Sequence, residues 1–506
     1  MQLINLAVGL LAAGTALASP TSDYLRGLKI REEKFDAPRG KNLVAADKVT
    51  VGFFEQKVNH FGKALAGKTF KQQYAINAAN FKSNSTKTPL CIFLPGQEGP
   101  MSARDVTRGL PHDLAVAHNA LLVTLEHRFY GESNPSLDPK DYWLLTLEQG
   151  MEDFNVFVNT FKFKTDDGKA IDCSAGWAAF GGSYSGAVSA WLRLKYPKTF
   201  WSAHAGSAPV WAKEKFFEYD MVVEAAVPKI GGSQDCVDGL ISATGLIDSI
   251  LKSGNKQKIT ALKAKMNLTG VVDNRDFAAF VTSLPALSVQ YGPQFDTIGN
   301  KTVVQALCNG TVIADKKAKP QAKLDELASL VIAYSNQNGY DASYINTHTS
   351  AQIPRDSWWW QTCTEFGYFQ TARPGPRSLY STLVDDEYFR WFCKTNFPGK
   401  VIDGNTGKPV EHVKPNTDAI NKKYLGLGIT RAVSNVLFAD GLYDPWHALS
   451  VYAQKSTVAN VIANHFGHHC DEWSSRDAVA GWRNELAKTW DEWIAKRIPK
   501  KSRPHY

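Results

Sequence analysis

A short run of small residues, GGSYSG at 181–186, joins an apolar segment to a segment with helical spacing. The apolar segment GWAAFGG (176–182) is typical of a buried strand, and a helix is expected from about residue 186. A strand that turns directly into a helix brings the two backbones close together, so the residues around the turn must be small. Ser183, at the turn itself, then projects its hydroxyl at the carboxyl end of the strand.

Four other segments have the pattern of short buried strands, and helical patterns lie among them. A helix is expected around residues 109–118, and a strongly amphipathic helix over residues 479–497. Strands that alternate with helices predict βαβ units and a parallel sheet. The four segments are LCIFLPG (90–96), ALLVTLEHR (120–128), WSAHAGSAPV (201–210) and NVLFADG (435–441).

The alternation stops between the last two of these strands. Most of that interval has helical patterns, such as KQKITALKAKM (256–266) and AKLDELASLVIAYSNQ (322–337). A chain of 506 residues is also too long for one compact core. We therefore expect a core formed by residues 51–211 and 430–506, interrupted by a helical insertion over residues 212–429.

The N-terminus has the pattern of a secretory signal. Its apolar stretch ends in Ala16-Leu17-Ala18, which predicts a signal peptide over residues 1–18. Residues 19–50 are charged and lack periodic apolar residues, so we expect a propeptide or an N-terminal arm there. No later segment is apolar over about eighteen residues, so no membrane anchor is expected. Four sequons are candidate glycosylation sites of a secreted protein: Asn84, Asn267, Asn300 and Asn309.

Cysteine count and charge exclude some classes of protein. The chain has seven cysteines, most of which should pair in an oxidising compartment, while at least one is left over. No CxxC pair occurs, which argues against a structural zinc site. The formal net charge is +8, but no nucleic-acid-binding module accompanies it, so no nucleic-acid partner is expected.

A serine on such a turn is a candidate nucleophile, which requires a base and an acid that orients the base. Downstream, Asp444 follows the strand at 435–441, and His468 and His469 lie in the next loop. This Ser–acid–His order is that of α/β-hydrolases. The alternative interpretation is a glycine-rich turn with an incidental serine. Ser185 also departs from the usual G-x-S-x-G pattern, which has glycine at that position.

Several motifs together are similar to those of the S28 family of serine peptidases. The resemblance spans nearly the whole chain after the signal and implies an α/β-hydrolase core with a large, mainly helical cap. Within it, Ser183 corresponds to the nucleophile, Asp444 to the acid and His468 to the base. The motifs are GGSYSG (181–186), LEHRFYGES (125–133), GSAPV (206–210), QTCTEFGYF (361–369) and ADGLYDPW (439–446), followed by the histidine pair.

The resemblance also implies roles for residues around this triad. The turn itself already places the backbone N–H of Tyr184 at a helix N-terminus, as a candidate oxyanion donor. The loop PGQEG (95–99) resembles a turn of the family and suggests the backbone near Gln97 as the second donor. Trp446 and Tyr368 match positions that line the family's proline pocket, although core packing would explain both equally well. For the disulfides, the resemblance implies a Cys363–Cys393 bond, with Cys236–Cys308 as a plausible second pair. It leaves Cys91, Cys173 and Cys470 unassigned.

The expected function is that of a secreted or lysosomal serine peptidase that cleaves peptides after proline through an acyl-enzyme, as a carboxypeptidase. A dipeptidyl aminopeptidase and a prolyl endopeptidase of the same family are alternatives. An esterase and an inactive hydrolase fold used for binding are less favoured alternatives, since the triad residue types are all present. This chemistry requires no metal or cofactor, and the oligomeric state, a homodimer included, is left open.

Overall fold

The structure is a computed structural model, and it describes most of the chain from Val49 onward. The described residues are 49–82, 89–165, 167–292, 297–347, 356–397, 399, 401–452, 460–464, 466–474 and 477–497. The predicted signal peptide, nearly all of the predicted N-terminal arm and the sequon at Asn84 therefore lie outside the described residues.

An eight-stranded sheet forms the centre of the molecule. Its strand order is β1-β2-β4-β3-β5-β6-β11-β12, with β2 antiparallel to both β1 and β4 and all other neighbours parallel. The five strands predicted from the sequence are β3, β4, β5, β6 and β11. The sheet strands are β1 Val49–Lys57, β2 Thr69–Asn77, β3 Cys91–Pro95, β4 Leu121–Leu125, β5 Trp177–Gly182, β6 Phe200–Gly206, β11 Val436–Gly441 and β12 Asn460–Asn464.

Helices cover both faces of this sheet, which explains why its central strands are apolar throughout. Successive residues of β3 show the two faces: Phe93 packs in one hydrophobic cluster and Leu94 in another. The helices α2 (Leu147–Thr160) and α3 (Ser183–Lys195) lie on the Phe93 face. The helices α1 (Gly109–His118) and α15 (Asp477–Ala495) lie on the Leu94 face. They match the helix predicted around residues 109–118 and the amphipathic helix predicted over residues 479–497.

The chain between β6 and β11 is mainly helical in its described part. Its largest hydrophobic cluster is continuous with that of the sheet, since Val331 and Phe200 belong to the same cluster. The domain boundaries at 212 and 429 remain predictions. The helices there are α4 Glu218–Ala226, α5 Gln234–Lys252, α6 Lys256–Lys265, α7 Asn274–Thr282, α8 Leu284–Tyr291, α9 Val303–Cys308, α10 Pro320–Asn338, α11 Ala342–Ile345, α12 Ser357–Gln361, α13 Asp386–Asn396 and α14 Thr417–Tyr424. Short strands form two small ladders, β7 (Lys213–Lys215) with β10 (Gly367–Phe369) and β8 (Thr297–Ile298) with β9 (Lys301–Thr302).

Three disulfides connect segments that are distant in sequence. Cys236–Cys308 and Cys363–Cys393 are the two expected pairs, and both are confirmed. The third, Cys91–Cys173, ties the start of β3 to the loop before β5 and joins cysteines that the sequence left unassigned. Cys470 is buried and takes no part in these three bonds. Within the described residues, no helix combines the length and apolar character needed to cross a bilayer.

The Cys91–Cys173 bond should contribute more stability than the Cys363–Cys393 bond. The two bonds span 82 and 30 residues, and a longer loop removes more entropy from the unfolded chain. On that model, replacing both cysteines of the longer loop by alanine should cost about 4 kcal/mol of unfolding free energy, roughly 1 kcal/mol more than the same change in the shorter loop. Denaturant unfolding of the two double variants measures this, and an equal or reversed ranking would contradict it.

Candidate active site

The turn from β5 to α3 holds Ser183 in a left-handed backbone conformation. Its φ is +58°, an uncommon value for a residue with a side chain, and Ser183 is partly exposed while its neighbours are buried. The glycines around it cannot be replaced without a clash: a Cβ on Gly181 would lie 2.2 Å from the Ser185 carbonyl oxygen. A Cβ on Gly186 would lie 2.5 Å from the Gly206 carbonyl oxygen. The close approach of strand and helix therefore explains why the run is made of small residues.

Ser185 occupies the position where the usual pattern has glycine, and the structure shows how it fits. Its hydroxyl is buried and donates a hydrogen bond of 2.8 Å to the carbonyl oxygen of Pro95, the last residue of β3. A buried hydroxyl with a partner carries little of the cost of an unsatisfied one. The serine thus links the start of α3 to the end of the neighbouring strand.

Asp444 and His469 form a buried pair after β11. The Asp444 Oδ2 atom lies 2.9 Å from His469 Nδ1, and both side chains are almost fully buried. The other carboxylate oxygen of Asp444 accepts from the backbone N–H of Trp446 at 2.9 Å, which fixes the orientation of the carboxylate. His469 Nε2 is buried and has no hydrogen-bond partner among the described residues. His469 is therefore held through Nδ1, while its Nε2 is left without a partner among the described residues.

The structure contradicts the predicted contact between Asp444 and His468. The Nδ1 atom of His468 lies 2.7 Å from the carbonyl oxygen of Val289, in helix α8 of the insertion. Its backbone N–H donates to Asp471 at 2.5 Å. Adjacent side chains leave the backbone in different directions, so only one member of the histidine pair can reach Asp444. The prediction chose the wrong member, and the geometry identifies His469 as the partner of the acid.

The two predicted oxyanion donors lie on segments that meet at Ser183. Tyr184 is in the first turn of α3, where backbone N–H groups have no partner within the helix. Gln97 follows Gly96, whose missing side chain is required because a Cβ there would lie 2.3 Å from the backbone nitrogen of His127. The next residue, Glu98, interacts with the side chain of Ser183. The loop after β3 is therefore next to the serine, as the oxyanion assignment requires.

A buried hydrogen-bond network behind Ser183 joins the core to the insertion, and sequence reasoning did not find it. The His127 Nδ1 atom lies 2.8 Å from the carbonyl oxygen of Arg128, so this nitrogen carries the proton and Nε2 accepts from the Tyr184 hydroxyl at 3.1 Å. Gln361 donates to the Tyr184 hydroxyl at 3.0 Å and accepts from Tyr130 at 2.5 Å. Burial lowers the pKa of His127 to about 4, which keeps its ring neutral. The quoted motifs LEHRFYGES and QTCTEFGYF contain most of these residues.

Two acids lie close to this network, Glu98 fully buried and Glu365 mostly buried. Burial raises the pKa of Glu98 to about 7 and that of Glu365 to about 8. The backbone N–H of Leu147 donates to both carboxyl oxygens of Glu365, at 3.0 and 3.2 Å. Burial raises the pKa of the Tyr184 phenol well above its ordinary value, and Glu365 and Glu98 contribute less in the same direction. Glu98, the acid that interacts with Ser183, is therefore mostly neutral below about pH 7.

Aromatic side chains pack beside the Asp444–His469 pair. The ring of Trp446 contacts Tyr368 edge-on, with centroids 5.5 Å apart, and lies 6.3 Å from the His469 ring. The Tyr368 hydroxyl donates to the Pro209 carbonyl oxygen, which holds the phenol against the core. Phe216 extends the cluster, with its ring 5.3 Å from that of Trp446. The structure thus brings the two predicted pocket residues together next to the histidine.

Serine hydrolases with the α/β-hydrolase fold carry a nucleophile on this kind of strand-to-helix turn, with the acid and the histidine later in the chain. The mainly parallel sheet, the helices on both faces and the Ser183 turn place this protein in that fold class. The chain belongs to the S28 family of serine carboxypeptidases, whose family model matches residues 56–480. It is therefore a serine peptidase by family.

Three relatives with assigned names match about four fifths of the chain. The human thymus-specific serine protease is 30% identical over 442 residues, which are 83% of this chain and 81% of that protein. Mouse lysosomal Pro-X carboxypeptidase is 28% identical over 459 residues, or 84% of each chain. Serine protease vicPa of Bipolaris victoriae is 27% identical over 436 residues, which are 79% of this chain and 78% of the relative.

The buried acids near the site should make the folded protein less stable as the pH rises from about 6.5 to 8. An unfolded glutamate ionises near pH 4.5, whereas folded Glu365 keeps its proton to about pH 8, so the folded state binds more protons in this interval. Each pH unit then costs about 1.4 kcal/mol per such carboxyl. His127 has the opposite effect only below its ordinary pKa of 6.5, outside this interval.

Calorimetric unfolding at pH 6.5 and 8 measures this loss, and Glu365→Gln should reduce it because the amide does not ionise. A wild-type protein that is equally stable at both pH values, or an unchanged loss in the variant, would contradict the assignment.

Proposed function

We propose that Ser183, His469 and Asp444 act as the catalytic triad of a peptidase. The Asp444–His469 pair, with its second ring nitrogen unpartnered among the described residues, is the observation that carries this proposal. In the first step, His469 Nε2 takes the proton of the Ser183 hydroxyl while Oγ attacks the peptide carbonyl carbon. The same nitrogen then gives that proton to the leaving amine, and an acyl-enzyme remains. A water molecule, activated by His469, releases the acid product and restores the serine.

The oxyanion formed in both steps needs two donors that are already in place. We assign the backbone N–H groups of Tyr184 and Gln97 to this role. The Tyr184 N–H lies at the N-terminus of a thirteen-residue helix, where the helix dipole also favours negative charge. Gln97 lies on the loop that contacts Ser183 through its next residue. The side-chain hydrogen bonds of Tyr184 to His127 and Gln361 support this arrangement, because they fix the residue from the opposite end.

The aromatic cluster beside His469 supports cleavage after proline. A proline ring is compact and apolar, and its nitrogen has no hydrogen that must be satisfied when it is buried. Trp446 and Tyr368 offer two faces of such a pocket, at right angles to each other. Contacts of this kind discriminate by about 1–3 kcal/mol per missing methylene, so the preference for proline over alanine should be clear without being absolute.

The name of the Pro-X carboxypeptidase supports removal of C-terminal residues, while the other two relatives are named only as serine proteases. We therefore propose a carboxypeptidase, with a dipeptidyl aminopeptidase and a prolyl endopeptidase as alternatives within the same mechanism. An esterase would share the triad but not the preference for proline. We also propose entry into the secretory route, towards a lysosomal or vacuolar compartment or the outside of the cell. The three disulfides and the exposure of Asn267, Asn300 and Asn309 support this route.

The two neighbouring histidines should differ sharply in their effect on catalysis. His469→Ala and Ser183→Ala should each lower kcat by roughly 10⁴-fold or more, because triad residues act as a unit. His468→Ala should cost far less kcat, since its ring is bonded to Val289 rather than to Asp444. Turnover of a fluorogenic X-Pro substrate and labelling by a fluorophosphonate probe measure both effects. A greater loss in His468→Ala than in His469→Ala would return the base to His468.

Shortening Trp446 should weaken the preference for proline. Trp446→Leu is expected to lower kcat/KM for an X-Pro-Phe peptide by about 10- to 200-fold and to change the corresponding X-Ala-Phe value less. Trp482→Leu is a matched control, because Trp482 is similarly buried on the opposite face of the sheet, 7% exposed against 6% for Trp446. The ratio of the two kcat/KM values, read by mass spectrometry of products, is the measurement. An unchanged ratio in Trp446→Leu would contradict the pocket.

A further inference from the structure

The loop that carries the histidine pair is attached to the core at both of its ends. At its start, the carbonyl oxygen of Gly467 accepts a hydrogen bond of 3.0 Å from the backbone N–H of Tyr443. At its end, the backbone N–H of Cys470 donates to the hydroxyl of Ser207, just after β6, at 2.9 Å. The two histidines lie between these attachments, and both of them contact helix α8 of the insertion.

Both histidines donate to carbonyl oxygens in the last turn of α8. The Nδ1 atom of His468 lies 2.7 Å from the carbonyl oxygen of Val289, and because a carbonyl carries no proton, the ring nitrogen is the donor. The backbone N–H of His469 donates to the carbonyl oxygen of Gln290 at 2.7 Å. The last four carbonyls of a helix have no partner within it, and these two bonds satisfy two of them. The histidine pair therefore caps the C-terminus of α8.

Close packing accompanies these two bonds. Gly292, the first residue after α8, has a φ of +89°, and a Cβ there would lie 3.3 Å from Cδ2 of the His468 ring. The ring of Tyr291 contacts the ring of His469 edge-on, with centroids 5.9 Å apart. The end of the helix therefore fits around both histidines as well as bonding to them.

A separate contact holds the helix end in place. The side-chain oxygen of Gln290 accepts a hydrogen bond of 2.5 Å from the Tyr219 hydroxyl, and both residues are buried. Tyr219, in helix α4, packs edge-on against Trp446, with ring centroids 6.0 Å apart. Because α8 is fixed by this contact as well, loss of the His468 bond should release the histidine loop rather than the helix.

We propose that His468 is a positioning residue, which docks the loop of the proposed base onto the insertion. The inference rests on the proposed triad and gives the insertion a part in it: the end of α8 holds the His469 ring in the position from which Nε2 serves Ser183. A displacement of about 1 Å at a catalytic group lowers a rate by about 100-fold, so a bond that fixes the neighbouring residue has a measurable effect on kcat.

The competing interpretation is that His468 only fills space between the core and the insertion. Its side chain is buried, and its ring also packs against Tyr443, with centroids 5.5 Å apart. A loss of packing alone lowers stability but leaves the kcat of each folded molecule unchanged. Positioning instead depends on the donor at Nδ1, so a variant with a donor in that place should differ from one without.

The test compares His468→Leu with His468→Asn in the full-length protein, with rates measured per folded molecule. His468→Leu should lower kcat for an X-Pro-Phe peptide by about 10- to 100-fold and leave KM within about twofold of the wild-type value. His468→Asn should keep kcat within about threefold of the wild type, because its amide nitrogen is as many bonds from the backbone as Nδ1 and can donate to Val289. In His468→Leu the rate of fluorophosphonate labelling should fall in the same proportion as kcat, since labelling needs the activated serine but no bound peptide.

Gly292→Ala tests the same contact from the insertion. The added Cβ would press on the His468 ring, so kcat should again fall by about tenfold or more with little change in KM. His412→Leu is the matched control, because His412 Nδ1 also lies 3.2 Å from a carbonyl oxygen in the insertion, that of Val410, while its ring stacks on Trp360. This control should keep kcat within about twofold of the wild type.

Different results would count against the positioning role and against the proposed triad. Equal kcat in His468→Leu and His468→Asn, or a rise in KM in place of a fall in kcat, would overturn the positioning role and leave the triad intact. Wild-type kcat in Gly292→Ala would overturn it even if His468→Leu failed to fold. A loss in His468→Leu as large as that in His469→Ala would make His468 the base instead. Wild-type turnover in Ser183→Ala would refute the proposed function itself.

Discussion

The contact of β5 with α3 at Ser183 is the constraint on which the rest of the site depends. A residue with a side chain is held there at positive φ, which is unfavourable by itself and persists only because its surroundings fix it. Those surroundings are backbone atoms of Ser185 and Gly206, which leave no space for a Cβ on either flanking glycine. This conformation places the hydroxyl at the carboxyl end of β5. The loops after β3 and β11 lie at the same end of the sheet, because these strands run parallel to β5. The remaining site residues are on those loops.

Much of this arrangement was predictable because steric limits on the backbone restrict which residues can occupy a position. The small residues around Ser183, the five apolar strands and the position of Asp444 after a strand all follow from local patterns. The histidine was not predictable: His468 and His469 are chemically identical, and only the direction of each side chain decides which one meets Asp444. The Cys91–Cys173 bond was missed for a related reason, since sequence spacing does not show that the two segments become neighbours in space.

Residues 126–131 contain several buried charged side chains, and each of them holds a different part of the structure in place. Arg128 makes a fully buried, two-pronged ion pair with Asp153, at 2.6 and 2.7 Å, and it donates further to backbone carbonyls. Glu126 accepts from Ser133 at 2.6 Å and from the backbone N–H of Met101 at 2.7 Å. Such pairs cost desolvation and are tolerable only when every donor and acceptor is satisfied. Here they fix the turn that carries His127 to the Tyr184 hydroxyl.

This protein contains two kinds of buried acid, which differ in their partners. Asp153 faces a guanidinium and His60, and these contacts hold its pKa below the ordinary value despite burial. Among the described residues neither Glu98 nor Glu365 forms an ion pair, so burial dominates and their pKa values rise, although Lys423 partly offsets the rise at Glu365. The first acid is a structural anchor at any physiological pH, whereas the second kind changes charge around neutral to mildly basic pH. Since Glu98 interacts with Ser183 and Glu365 acts on Tyr184, the charge close to the nucleophile changes with pH as a consequence of burial.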